Sequence, residues 1–320
     1  MRDANKLVAG IDYPRTLQEF DNFFPNEDVC RKYLVQLRWP QGCQCPACES
    51  SKSPWITARG YLHCQECRTE TSITSGTIFE KTRYPLKTWF FAIWLITSQK
   101  YGASALGVKR ALGLGSYQTA WSWLHKLRRA MVRPGRNLLH GSIEVDETYV
   151  GGTKKEGKRG RGAEGKEIVV IALEIHDPKG YGRVRMKRIP DVSANSLTQF
   201  ICEVVKPGSE IRTDGWKGYS DLLKHGYAHK QTVLSESGDP AHVAMPGVHR
   251  IAALLKRVLL STHQGAVRGK HLDYYLDEYT FRFNRRTSRS RGLLFYRLME
   301  QAVETETTTY RDIVDASGTE

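Results

Sequence analysis

Ile143-Glu144-Val145-Asp146-Glu147-Thr148-Tyr149-Val150 reads as a strand rich in β-branched residues, and it carries an aspartate in its middle. A second strand-like run, Ile211-Arg212-Thr213-Asp214-Gly215-Trp216, carries another. Carboxylate oxygens are the hard ligands that Mg²⁺ and Mn²⁺ prefer, and such ions activate nucleophiles and stabilise leaving oxygens in phosphodiester chemistry. Two aspartates on neighbouring buried strands therefore point to a metal site.

Outward from that run the periodicity predicts strands over 142–150, 168–175 and 183–189, then a helix over 196–205. A strand over 210–214, a helix over 219–225, a strand over 230–234 and an apolar-periodic helix over 248–260 follow. This order is similar to the ribonuclease-H-like fold. That resemblance implies that the first and fourth strands lie side by side, with Asp146 and Asp214 adjacent, and that the last helix brings a third ligand. His249 opens that helix and shares a face with Lys256, while Ile251, Leu254, Leu255, Val258 and Leu259 form the opposing apolar face. Glu236 and Asp239, in the loop-like stretch 235–240, are the alternative third ligands. Glu144 shares the strand face of Asp146 and is either a supporting group behind it or half of a surface salt bridge.

The chain of 320 residues has 48 Lys and Arg against 34 Asp and Glu, a net charge of +14 and a pI near 9.5. Two or three domains are expected at this length, and the charge favours a polyanionic partner. No charged segment followed by an apolar run opens the chain, and the strongest apolar run, 89–96, is far too short to span a bilayer. Membrane and secreted classes are excluded, and a cytoplasmic protein, nucleoid-associated when on DNA, is expected.

Four of the seven cysteines form the pairs Cys45-Pro46-Ala47-Cys48 and Cys64-Gln65-Glu66-Cys67. Each pair sets two thiolates on a tight turn, and the intervening stretch is long enough for a hairpin, so structural Zn²⁺ is expected. Cys43 is a weaker substitute, and Cys30 and Cys202 read as packed thiols.

From 85 to 132 the pattern is helical, in three pieces, with Gly113, Gly115 and Ser116 separating the last two. The spacing resembles a helix-turn-helix. Tyr117, Gln118, Thr119 and Ser122 would then face base edges, and Lys126, Arg128 and Arg129 would meet phosphates. A small helical linker is the plainer alternative. Trp89, Trp94, Trp121 and Trp123 belong to the core.

The glycine-rich stretch 151–166 holds Lys154, Lys155, Lys158, Arg159 and Arg161, suited to phosphate contact or to a solvated hairpin tip. Arg282, Arg285 and Arg286 lie in an acid-free run of five arginines that could grip a DNA backbone. The tail 301–320 is polar and acidic, and disorder is expected there.

Cys45, Cys48, Cys64 and Cys67, the run 144–152, Thr213-Asp214-Gly215-Trp216-Lys217-Gly218-Tyr219, and His249 to Lys256 with Phe281-Arg282-Phe283-Asn284-Arg285-Arg286 together resemble the ISXO-type insertion-sequence transposases. The resemblance covers about 20–297. It implies a multidomain α+β chain: 1–80 with the zinc ribbon at about 40–72, a helical DNA-binding region over 81–138, and a ribonuclease-H-like α/β catalytic domain over 139–300. It further implies binding of double-stranded DNA at transposon ends and target, a homo-oligomer on that DNA, and strand cleavage and transfer with Mg²⁺ or Mn²⁺ held by Asp146, Asp214 and His249. Lys256 would anchor DNA near the scissile phosphate. The general DDE pattern ends in Glu where His249 stands. Two alternatives stay open: a nuclease that never joins strands, and a DNA-binding regulator that has lost chemistry.

Overall fold

The computed structural model describes residues 7–315 apart from 58, 134, 152–165, 177, 179, 233–244, 266 and 268. Two compact units emerge. One combines the described residues up to Arg133 with those from Thr287 onward, and the other spans Pro134–Arg286.

In the first unit, helices α1 (Leu17–Phe23) and α2 (Glu27–Arg38) precede a three-stranded antiparallel sheet of β1 (Trp55–Ile56), β2 (Tyr61–His63) and β3 (Glu70–Ser72). Helices α3 (Leu86–Ser98), α4 (Ala105–Leu112) and α5 (Tyr117–Ala130) follow, matching the three expected pieces. Ser104 and Ser116 cap α4 and α5 by accepting from the N–H of Gly107 and Thr119, and Gly113 ends α4 at φ +62°. Trp89, Trp94 and Trp123 are buried, and the Trp89 and Trp123 rings stack at 3.7 Å.

The end of the chain differs from expectation. Helix α9 (Arg291–Glu304) belongs to the first unit, where Phe295, wholly buried, meets Phe20, Phe24, Phe90 and Trp94 at 5.8–6.3 Å between ring centroids. The expected boundary at 300 and, over 301–315, the expected disordered tail give way to helices, and α9 completes the core of the first unit, while 316–320 lie outside the described residues. A short helix, α10 (Tyr310–Asp315), continues past it with Ile313 buried. Helix α9 buries Leu294, Phe295, Leu298 and Met299 against partners distant in the chain, which no local pattern records.

The second unit is built on a five-stranded sheet in the order β6-β5-β4-β7-β8, from β4 (Ser142–Val150), β5 (Glu167–Ile175), β6 (Tyr181–Ile189), β7 (Glu210–Asp214) and β8 (Ala228–Thr232). The first three are antiparallel neighbours, whereas β7 and β8 run parallel to β4. With helix α6 (Ala194–Val204) between β6 and β7, this is the ribonuclease-H-like arrangement.

Side chains alternate across the sheet. Ile143 and Val145 share one core with Val170, Ala172, Leu197 and Phe200, on the α6 side. Val150, Val169, Ile171 and Leu173 share the other with helices α7 (Pro246–His263) and α8 (Gly269–Phe283). The helix expected over 219–225 is instead two 3₁₀ turns, Lys217–Tyr219 and Leu222–His225, ended by Gly226 at φ +81°. Of the two thiols expected to pack, Cys30 is buried but Cys202 is exposed.

Candidate zinc and catalytic sites

Each Cys-x-x-Cys pair closes its own turn. The N–H of Glu49 donates to the carbonyl of Cys45 at 2.8 Å and that of Arg68 to Cys64 at 3.1 Å, with Glu49 and Arg68 in the left-handed region at φ +58° and +60°. The hairpin β1–β2 brings the second turn back to the first. Cys45 Sγ then lies 3.5 Å from Cys67 Sγ, and Cys48 Sγ 3.7 Å from Cys64 Sγ. A tetrahedron with Zn–S near 2.3 Å has edges of about 3.8 Å, so the four thiols fit one Zn²⁺. Cys43 stays outside this group, its Sγ against the Gln44 carbonyl.

In the second unit β4 pairs with β7 from Ser142 opposite Glu210 to Glu144 opposite Arg212. Two residues beyond the last pair on each strand stand Asp146 and Asp214. Both side chains share the sheet face of Glu144, Thr148 and Val150, which is the face covered by α7. His249, in the first turn of α7, reaches that face, and its Nδ1 lies 3.7 Å from Asp146 Oδ2. The imidazole is 33% exposed and the carboxylate 17%, so the pair is open to solvent. Asp214 ends β7, and its Oδ1 accepts from the N–H of Trp216 at 3.0 Å, which holds the carboxylate as the chain turns away.

Tyr219 records the charge gathered here. Its buried hydroxyl donates to Glu147 Oε2 at 3.2 Å. Burial first, then the charges of Glu147, Asp146 and Asp214, hold its pKa well above the ordinary phenol value. Lys256, exposed on α7, has its ammonium pKa lowered by partial desolvation and by Lys166, while Asp146 pulls it upward. Asp146, Asp214, His249 and Lys256 thus belong to one neighbourhood. In kind, the two carboxylates fit Mg²⁺ or Mn²⁺, whereas the imidazole is a nitrogen donor that supplies less charge to such hard cations. Among the described residues, however, only the four cysteines set their ligand atoms within 4.8 Å of one another.

Residues assigned to DNA fare unevenly. Gln118 and Tyr117 are exposed at the start of α5, and Arg129 is exposed near its end. Arg128 is 1% exposed and cannot meet a phosphate there. Lys126 is half-buried, its pKa lowered by burial against the pull of Glu80 and Asp312. The Arg282 side chain is 9% exposed and pairs with buried Glu278 at 3.4 Å, so the expected backbone grip fails at that position. Arg285 stacks on Phe281 at 3.9 Å, and Arg286 on Phe283 at 4.0 Å while donating to the carbonyls of Gly182 and Tyr181. Lys154, Lys155, Lys158, Arg159 and Arg161, like Glu236 and Asp239, lie outside the described residues.

Sequence reasoning left Glu144 undecided and missed Tyr219. Glu144 is 4% exposed, so it is no surface salt bridge. Its partners are backbone N–H groups, which no sequence pattern announces.

Residues 138–284 match the model of an ISXO2-like transposase domain, and residues 25–70 that of a transposase zinc-ribbon domain. A curated relative from Halobacterium salinarum, described as an uncharacterized protein in transposable element ISH50, is 24% identical over 273 residues, spanning 78% of this chain and 89% of the relative. A solved structure, the catalytic core domain of BIV integrase, aligns with 43% of this chain and 80% of its own at 18% identity and a TM-score of 0.29, too low to carry chemistry across.

Proposed function

Because the chain belongs to the ISXO-type insertion-sequence transposases, with a zinc ribbon ahead of a DDE-type domain, we propose that it cuts DNA at the ends of its own element and joins them to target DNA. The observation that carries this reading is the placement of Asp146 and Asp214 on one face of adjacent parallel strands, with His249 against the first of them.

Mg²⁺ or Mn²⁺ held there supplies Lewis-acid activation of a water or hydroxyl and of the scissile phosphate. Asp146 and Asp214 provide the negative charge that makes the site selective for hard cations, and His249 is the third donor. Lys256 sets a positive charge beside them, matched to a phosphodiester oxygen. Hydrolysis of one strand leaves a 3′-hydroxyl, and the same site directs that hydroxyl at a target phosphodiester without a covalent protein intermediate.

The exposed start of α5, with Gln118, reads base edges of double-stranded DNA, while the basic stretch 154–161 and Arg129 meet phosphates. Two element ends are held at once, which calls for a homo-oligomer on DNA. Among the described residues no helix is long and apolar enough to cross a membrane, and the protein works in the cytoplasm, on nucleoid DNA.

The separation of the donor atoms of Asp146, Asp214 and His249 favours a second reading, a DNA-binding regulator without chemistry. Labelled DNA carrying the element's terminal repeats, incubated with Mg²⁺ and wild type, Asp214→Asn or His249→Ala, separates the two. Joined products from wild type alone support the transposase with His249 as ligand. Products that survive His249→Ala move the third ligand elsewhere, free cut ends without joined products indicate a nuclease, and no products from wild type leave the regulator.

A further inference from the structure

Helix α7 begins without an ordinary cap. Met245, its N-cap residue, offers no side-chain acceptor, and Pro246 at the first position has no N–H. The next donors, Gly247 and Val248, are those that an N-cap side chain satisfies in most helices. Here Val248 is met from the sheet: Glu144, 104 residues earlier, accepts from its N–H at 2.8 Å through Oε2, and the neighbouring Gly247 N–H helps hold the carboxylate in its charged form. The N–H of His249 follows with a long bond to the Met245 carbonyl, 3.5 Å. A carboxylate on β4 thereby stands where an N-cap side chain would.

The fit is close. A Cβ on Gly247 would stand 2.7 Å from Glu144 Oε2 and 2.9 Å from methyl carbons of Ile175 and Leu173, so only glycine lets the helix approach β4 this far. Glu144 itself is 4% exposed. Two residues along the strand, on the same face, stands Asp146, and one residue along the helix from Val248 stands His249. The bond from Glu144 to Val248 therefore lies directly behind the contact of His249 with Asp146.

We propose that Glu144 is a positioning residue: it docks the N-terminus of α7 onto β4 and so sets His249, and one helical face further on Lys256, against Asp146. This rests on the reading of Asp146 and His249 as one site, and it assigns Glu144 no contact with metal or DNA. The carboxylate works as an acceptor for the N–H of Val248, not as a charge near the ion. A glutamine can accept the same bond through its carbonyl oxygen, whereas alanine cannot.

Two readouts on the full chain test this. Amide hydrogen exchange, without metal or DNA, needs no activity: Glu144→Ala is expected to speed exchange across 247–251 by about threefold to thirtyfold, the equivalent of a lost cap, with Glu144→Gln near wild type. End cleavage and joining with Mg²⁺ is expected to fall about tenfold or more in Glu144→Ala at unchanged DNA affinity, and to be largely recovered in Glu144→Gln. Exchange in Glu144→Ala equal to wild type overturns the anchoring. Glu144→Gln as inactive as Asp146→Asn, at wild-type exchange, also overturns the proposal, because the charge would then act at the ion. If wild type joins no DNA, the catalytic reading fails while exchange still decides whether Glu144 anchors the helix. Should Glu144→Ala not fold, Gly247→Ala perturbs the same contact, and wild-type exchange in it would overturn the close docking.

Discussion

Phe295→Ala tests the assignment of the C-terminal helix to the N-terminal unit. Phe295 is wholly buried among Phe20, Phe24, Phe90 and Trp94. A buried phenylalanine removes about 200 Å² of apolar surface from water, roughly 5 kcal/mol at about 25 cal/mol per Å² before the compactness of the unfolded chain is discounted. Measured truncations of this kind cost about 3 to 5 kcal/mol, so about 4 kcal/mol is expected, a large share of the roughly 5 to 15 kcal/mol that holds a domain folded. Tryptophan fluorescence suits the assay because six of the seven tryptophans, at 39, 55, 89, 94, 121 and 123, lie in the first unit and Trp216 alone in the second. In guanidinium titrations the variant is expected to shift the main fluorescence transition to lower denaturant and leave the transition reported by Trp216 in place. A cost below about 1 kcal/mol would refute the reasoning, since a partly exposed or loosely packed ring has that signature.

Three further outcomes follow from the same geometry. Wild type is expected to carry stoichiometric zinc by elemental analysis, and Cys64→Ser to lose it together with the ordered ribbon, while Cys43→Ser retains it; zinc loss in Cys43→Ser would move a ligand. Burial raises the Glu174 carboxyl pKa, but hydrogen bonds and charge from Arg183, with the His140 N–H, outweigh it and hold the value below the usual range. Its contribution is therefore full above the ordinary carboxylate pKa and is lost as pH falls through the lowered native value. Arg183→Met should destabilise by about 2 to 3 kcal/mol near neutrality, discounted because Arg183 is 29% exposed. Thermal melts should show that gap narrowing in acid below about pH 4, and a gap independent of pH would refute the pairing. Arg129→Ala is expected to reduce the slope of log K against log salt for DNA by about 0.9, whereas Arg282→Ala, which strips buried Glu278 of its partner, should lower stability and leave the slope alone. The reverse pattern would restore the run 281–291 as the backbone grip.

Much of the site was legible because its chemistry repeats in sequence. The cysteine pairs needed only their spacing, since two thiolates per turn with a hairpin between them have one compact solution. Asp146 and Asp214 stood in strand-like runs whose period of two already set them on a face. What spacing cannot state is range: Arg128 and Arg282 look like phosphate ligands in a basic run, yet one is buried and the other paired with Glu278. Charge runs report composition, and only packing says which members face water. The polar residues of 301–315 misled for the opposite reason, because the few apolar side chains among them, Ala302, Val303 and Ile313, are buried, which composition does not reveal.

By itself the sequence determined the local terms: the zinc knuckles, the break at Gly113 to Ser116 before α5, the strands β4 to β7 with α6 and α7, and the identity of the two aspartates. These depend on contacts within a few residues, where residue type and spacing carry the physics. Tertiary structure alone decided that β7 pairs in parallel with β4 from Ser142 opposite Glu210, that His249 comes to 3.7 Å from Asp146, that Glu144 caps a helix 104 residues away, and that Phe295 closes the core begun by Phe20. Each of those joins segments far apart in the chain, and its free energy comes from burial and from backbone donors that have no signature until the partners meet.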